Sequence, residues 1–119
     1  MKLQYFSRES DPNINWDKVD ENALLMLDNA RGYAKVPFVI TSSYRTVEKD
    51  KTLGGGVGFP HTEEPCTAFD ILATTSQQRF AIIAGCIKAG FTRIGINVKN
   101  NHIHVDASKK LPNNVFWVE

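Results

Sequence analysis

Cysteine is nearly missing from this chain: two, Cys66 and Cys86, in 119 residues. That is too few for a disulfide framework, so both are expected as thiols. No run approaches the roughly 20 apolar residues of a membrane span. Basic clusters are missing too, and the formal net charge is +1. There is therefore no electrostatic case for nucleic acid or an anionic membrane as partner. The opening MKLQYFSRESDP has no apolar stretch of the kind found in a secretory leader, which suits synthesis in the cytoplasm. Histidine is also scarce. The three histidines, His61, His102 and His104, fall in two short segments.

What is present is enough for one core. Hydrophobic residues make up 42% of the chain, and the length suits a single domain over residues 1–119, expected as a monomer. Val19, Ala23, Met26, Leu27, Ala30 and Ala34 recur at helical spacing and predict a helix over 16–34. Asn15 or Asp17 can cap it, and Pro37 follows its end. Phe38 to Thr41 reads as a short strand. Residues 42–60 read as a long loop with room for a helical turn at 46–51; its Gly54-Gly55-Gly56 is too flexible for regular structure. Residues 67–72 read as a second strand, with Cys66, Ala68, Asp70 and Leu72 on one face.

A second helix is predicted over 77–89, with Ser76 as N-cap, Gly90 just past its end, and an apolar stripe of Phe80, Ile83, Ala84 and Ile87. Strands over 92–98 and 102–106 form a hairpin through Lys99-Asn100-Asn101. Pro112, Phe116 and Trp117 in the tail are expected to pack back on the core. The order of elements describes an α+β fold: a small, mostly antiparallel sheet with two packing helices.

The segment His102-Ile103-His104-Val105-Asp106 carries the chemistry. Successive strand side chains point to opposite faces, so His102, His104 and Asp106 share one face and Ile103 and Val105 the other. Catalytic zinc takes three protein ligands and keeps one position open. His61, Asp70 and His104 supply such a set, although each is also an ordinary polar residue near a turn. Arg45, directly after an apolar strand, can reach into a cleft and bind a carboxylate or oxyanion with two prongs. On its own it reads better as a surface ion pair.

Longer motifs narrow the choice. Tyr5-Phe6-Ser7-Arg8-Glu9, Ile40-Thr41-Ser42-Ser43-Tyr44-Arg45-Thr46, Gly55-Gly56-Val57 through His61, Ala68-Phe69-Asp70-Ile71, Gly90-Phe91-Thr92-Arg93-Ile94-Gly95-Ile96 and Ile103-His104-Val105-Asp106 run nearly the whole length of the chain, and Trp117 follows them. In these motifs the chain resembles the peptidase M15 family of zinc D-alanyl-D-alanine carboxypeptidases and dipeptidases. That group includes phage endolysins that cut the L-alanyl-D-glutamate bond of peptidoglycan, and hedgehog signalling domains share its fold. The resemblance implies Zn2+ held by His61, Asp70 and His104, with Arg45 stabilising the transition state. It also implies a peptidoglycan stem peptide as substrate, cut after release to the cell wall by a phage or prophage lysis system.

Several positions depart from the family pattern. Eight residues rather than six separate His61 from Asp70, and the extra pair is expected to bulge outward within Thr62-Glu63-Glu64-Pro65. Phe59 replaces a serine and Cys66 a glycine. Asn101 stands where many members carry the acidic general base, three residues before the last histidine. His102 and Asp106 are then equal candidates for the base, or partners that orient a ligand. Glu63 or Glu64 is a remoter choice, and Cys66 as a fourth ligand would imply a closed structural site. The alternative to a peptidase is a catalytically impaired zinc-binding module of the same fold, used for binding or as a phage structural part.

Overall fold

The computed structural model describes residues 2–53, 56 and 59–119. Its elements are α1 (Glu21–Ala34), β1 (Ile40–Ser42), α2 (Val47–Thr52), β2 (Ala68–Leu72), α3 (Ser76–Ala89), β3 (Arg93–Asn97), β4 (His102–Asp106) and β5 (Val115–Val118), with a single 3-10 turn at Pro60–Thr62. The sheet order is β1-β2-β4-β3-β5. All neighbours are antiparallel except β3 and β5, so the fold is α+β with a mostly antiparallel sheet. Among the described residues no helix is long and apolar enough to cross a membrane.

α1 begins later than its apolar spacing predicts, and neither Asn15 nor Asp17 caps it. Val19 is drawn out of the helix into a bridge with Cys66. Asp20 becomes the cap, its carboxylate accepting from the Ala23 N–H at 2.8 Å, which satisfies one of the donors a helix start leaves open. Leu24, Leu27 and Ala30 of α1 are wholly buried. Asp28, also buried, accepts the backbone N–H groups of Gln4 and Tyr5 and so ties the lead-in segment to the helix.

α3 shows two corrections. Its cap is Thr75 rather than Ser76: the Thr75 hydroxyl accepts from the Gln78 N–H while the Gln78 side chain answers the Thr75 N–H, a capping box. Its inward face is Ile82, Gly85 and Cys86. Of the expected stripe only Ile83 is partly covered, and Phe80 is 77% exposed. Gly85 explains the change. A Cβ there would lie 2.6 Å from the Ala30 carbonyl oxygen and 2.8 Å from the Ala34 Cβ. The seam of small residues brings α3 close against α1, and that close packing outweighs burial of the larger stripe.

The core lies between these helices and one face of the sheet, where Phe69, Ile71, Ile94, Ile103 and Val105 are buried. The tail is also corrected. It is a fifth strand, with Val115 N–H donating to the Thr92 carbonyl at 3.0 Å and Glu119 N–H to the Ile96 carbonyl at 2.8 Å. Phe116 is 54% exposed instead of packed on the core. Trp117 crosses the opposite face above Gly95, so closely that a Cβ on Gly95 would lie 2.5 Å from the indole.

Candidate metal centre

The pairing register builds the site. Asp70 on β2 stands opposite His104 on β4, which stands opposite Gly95 on β3, beside Trp117 on β5. Adjacent rungs hold Leu72, His102 and Asn97 on one side and Ala68, Asp106 and Arg93 on the other. Because strand side chains alternate, the three rungs turn His102, His104, Asp106 and Asp70 toward the face away from the helices. His61 joins them from the 3-10 turn. Its carbonyl accepts from the Arg45 N–H at 2.8 Å, which fastens this turn to the segment after β1.

Ligand-capable atoms of His61, Asp70 and His104 all lie within 4.8 Å of one another, and all three residues are buried. Asp70 Oδ1 is 3.2 Å from His61 Nε2 and 3.3 Å from His104 Nδ1. Tetrahedral ligands about 2.0–2.1 Å from a zinc ion stand roughly 3.3 Å apart, so the spacing fits. The outer nitrogens are also engaged. His61 Nδ1 bonds the Ser43 carbonyl, and His104 Nε2 lies 2.7 Å from Asp106 Oδ2. Each ring is thereby turned with its other nitrogen toward the common point, the usual arrangement around a ligating histidine. Two imidazoles and one carboxylate, with an open cleft beside them, could hold a metal ion and leave a coordination position free.

The electrostatics follow from the same contacts. Burial opposes a charge on His104, but the Asp106 and Asp70 carboxylates outweigh it and push the imidazole up to about 9. Burial likewise opposes the Asp70 charge, and His104 and His61 outweigh it, holding that carboxyl far below its ordinary range. Asp106 is lowered for the same reason, burial being overcome by His104 with help from the Ser108 N–H and Arg93.

The remaining candidates divide clearly. Arg45 lies beside the ligands, its Nη1 3.5 Å from Asp70 Oδ2. Its Nε donates to Asp50 at 2.7 Å and its Nη1 to the Ser42 hydroxyl at 2.7 Å. His102 places Nε2 3.7 Å from Asp70 Oδ1 and lines the same cleft. Asp106 does not reach the cleft. It is 0% exposed, with Oδ1 taking hydrogen bonds from Arg93 Nε and the Ser108 N–H and Oδ2 facing His104.

The sequence model of Peptidase M15 matches residues 7–106, a stretch that holds Arg45, His61, Asp70, His102, His104 and Asp106. The chain belongs to the peptidase M15 family. No curated protein matches it.

Against the M15 pattern, Asn101 sits in the β3–β4 turn with φ of 56°, where its carbonyl accepts from the Ala73 N–H. In the inserted segment Glu64 is exposed and pairs with Lys18 at 2.6 Å, and Glu63 accepts from the Ser108 hydroxyl; neither lines the cleft. The Cys66 thiol faces the backbone carbonyls of Pro60, His61 and Ala68. Burial pushes it up to about 11, and it does not join the ligand cluster. Of the glycine run expected to lack regular structure and its continuation to Gly58, Gly54, Gly55, Val57 and Gly58 lie outside the described residues. Gly56 donates its N–H to Asp50 at 2.8 Å.

Sequence reasoning missed Asp50, Arg93, Asn97 and Glu119. Arg93 had a signal in its two-residue period with Gly95 and Asn97, and Glu119 had the same relation to Trp117. Using either required the strand register.

Proposed function

We propose that this M15 protein is a zinc-dependent peptidase that hydrolyses a peptide bond in the peptidoglycan stem peptide. The observation that carries the reading is the convergence of His61, Asp70 and His104 on one point at the floor of a cleft of about 790 Å3. His61 Nε2, Asp70 Oδ1 and His104 Nδ1 would hold the ion. When bound, zinc supplies a Lewis acid that polarises the scissile carbonyl and lowers the pKa of water.

The chain's own groups do the rest. The Arg45 guanidinium takes the negative charge that grows on the carbonyl oxygen. His102 is the better-placed base. Its Nε2 receives the proton of the attacking water and returns it to the leaving amine nitrogen. Asp106, with both oxygens engaged, orients His104 instead. The cleft wall is apolar at Leu53, Phe59, Pro60 and Leu111 and polar at Asn97, Asn100 and Glu119, a mixture suited to an extended peptide.

The test is hydrolysis of purified peptidoglycan, followed by release of new amino groups. Turnover is expected to stop with a chelator and to return with added zinc. Zinc-loaded protein that releases nothing would favour the impaired binding module, a reading supported by Asn101 in place of the family acid. Protein that takes up no zinc would end both readings.

The role of Asp106 has its own test. Asp106→Asn is expected to weaken zinc affinity by about 10–100-fold, measured by competition with a chromophoric chelator. Unchanged affinity with collapsed turnover would return Asp106 to the position of base.

A further inference from the structure

Nearly every charged group that lines the cleft is answered by an opposite charge. Arg45 pairs with Asp50 and Asp70, and Arg93 pairs with Asp106. Glu119 is different. Its Oε2 accepts from the Trp117 indole N–H at 2.9 Å, and its Oε1 accepts from the Asn97 amide at 3.2 Å. Both donors are neutral. His102 Nε2 stands 3.6 Å from Oε1, beyond a good hydrogen bond. Among the described residues no lysine or arginine pairs with Glu119. Its side chain is 35% exposed, so it is open to a ligand while still partly sheltered from water.

The backbone fixes this carboxylate in place. The bond from Glu119 N–H to the Ile96 carbonyl extends the parallel β3–β5 pairing by one residue, so Glu119 lies beside Asn97 in the rung that includes His102. Trp117, one rung back, packs its ring 5.4 Å from that of His104. The oxygens are therefore held at a set position relative to the metal ligands. A carboxylate held by two neutral donors, with a neutral His102 beside it and no lysine or arginine paired to it, keeps charge and lone pairs for a further cation. That is what a cation-binding position needs.

We propose that the β5 end of the cleft is a subsite for a primary ammonium group on the substrate, with Glu119 as its specificity-determining residue and Asn97 and Trp117 as its supports. The substrate class narrows to peptides with a lysine-like side chain close to the bond that is cut. The ammonium sits at Glu119, and apolar lining residues such as Leu53, Phe59 and Leu111 are available to the rest of the peptide. This proposal rests on the peptidase reading for its reaction, although not for binding.

The test compares L-alanyl-D-glutamyl-L-lysyl-D-alanine with the same peptide acetylated on the lysine side chain. The zinc-loaded protein is expected to prefer the free amine by about fivefold in kcat/KM, carried by KM, as suits a half-exposed ion pair. Glu119→Gln is expected to bring the ratio to near one, and Glu119→Lys to reverse it. Calorimetric binding of both peptides to chelator-treated protein should show the same preference without turnover. A ratio that Glu119→Gln leaves unchanged, or a parent protein with no preference, would overturn the subsite. Equal loss of kcat for both peptides would do so as well, because it would mean that Glu119 acts on His102. Amine-dependent binding without any hydrolysis would keep the subsite and fail the peptidase reading; hydrolysis without preference would do the reverse.

Discussion

His104→Ala is expected to abolish zinc binding and hydrolysis together. The residue offers one of three ligand atoms, 3.3 Å from Asp70 Oδ1, and two ligands do not replace three. Its loss also leaves Asp106 Oδ2 buried without the ring that faces it, a cost of about 1–3 kcal/mol. Metal analysis and a peptidoglycan assay read the first effect, and thermal unfolding of the chelated protein reads the second. Retained zinc in this variant would sink the ligand assignment.

The same residue sets a pH dependence with a definite sign. In zinc-free protein the two carboxylates push His104 up to about 9, above an ordinary value of 6.5. A raised value means that the stabilisation is fully present below about pH 6.5 and is lost as the pH climbs through about 9. Zinc must displace the proton from Nδ1, so its affinity moves the other way and rises over that window. Denaturant unfolding with and without chelator, at pH 6 and pH 9, separates the two trends. A chelated protein that gains stability on going to pH 9 would contradict these contacts.

Much of this centre was legible in the chain because strand periodicity is a local rule. Alternation along His102 to Asp106 assigned the two faces of β4 before any partner was known. Asp70 followed from the same rule on its own strand. What stayed hidden depends on pairing between distant segments. The Arg93–Asp106 pair, 2.8 Å apart, exists only because the β3–β4 turn sets those two residues opposite each other; a shift of one residue would turn Arg93 to the core. β5 reads as an apolar tail because nothing local marks Val115 to Val118 as an edge strand parallel to β3. The face of α3 was misread because periodicity weighs side-chain size, and contact with α1 is decided at Gly85 by the lack of a side chain. The cap moved to Thr75 for a similar reason: either neighbour supplies a hydroxyl, and the answering Gln78 selects between them.

Arg45→Ala is expected to keep zinc and lose about 10²–10³-fold in kcat, the usual result of removing a group that stabilises a developing oxyanion. The geometry separates this residue from the ligands. Its nearest approach to them is Nη1 at 3.5 Å from Asp70 Oδ2, and Asp70 keeps its two histidine neighbours without it. Zinc stoichiometry should therefore remain at one. The guanidinium also supports the structure, because it answers Asp50, which is 3% exposed and in turn accepts the Gly56 N–H. Removing one partner of such a buried pair costs about 3–5 kcal/mol, so the variant should melt earlier as well as react more slowly. Arg45→Lys tells the two effects apart. A lysine restores a positive charge, but it cannot keep the planar fork that bonds Asp50 through Nε and Ser42 through Nη1. It should recover part of the stability and little of the rate. If Arg45→Ala, fully loaded with zinc and assayed below its melting range, turns over substrate as fast as the parent chain, the oxyanion role falls and Arg45 is left as a support for Asp50.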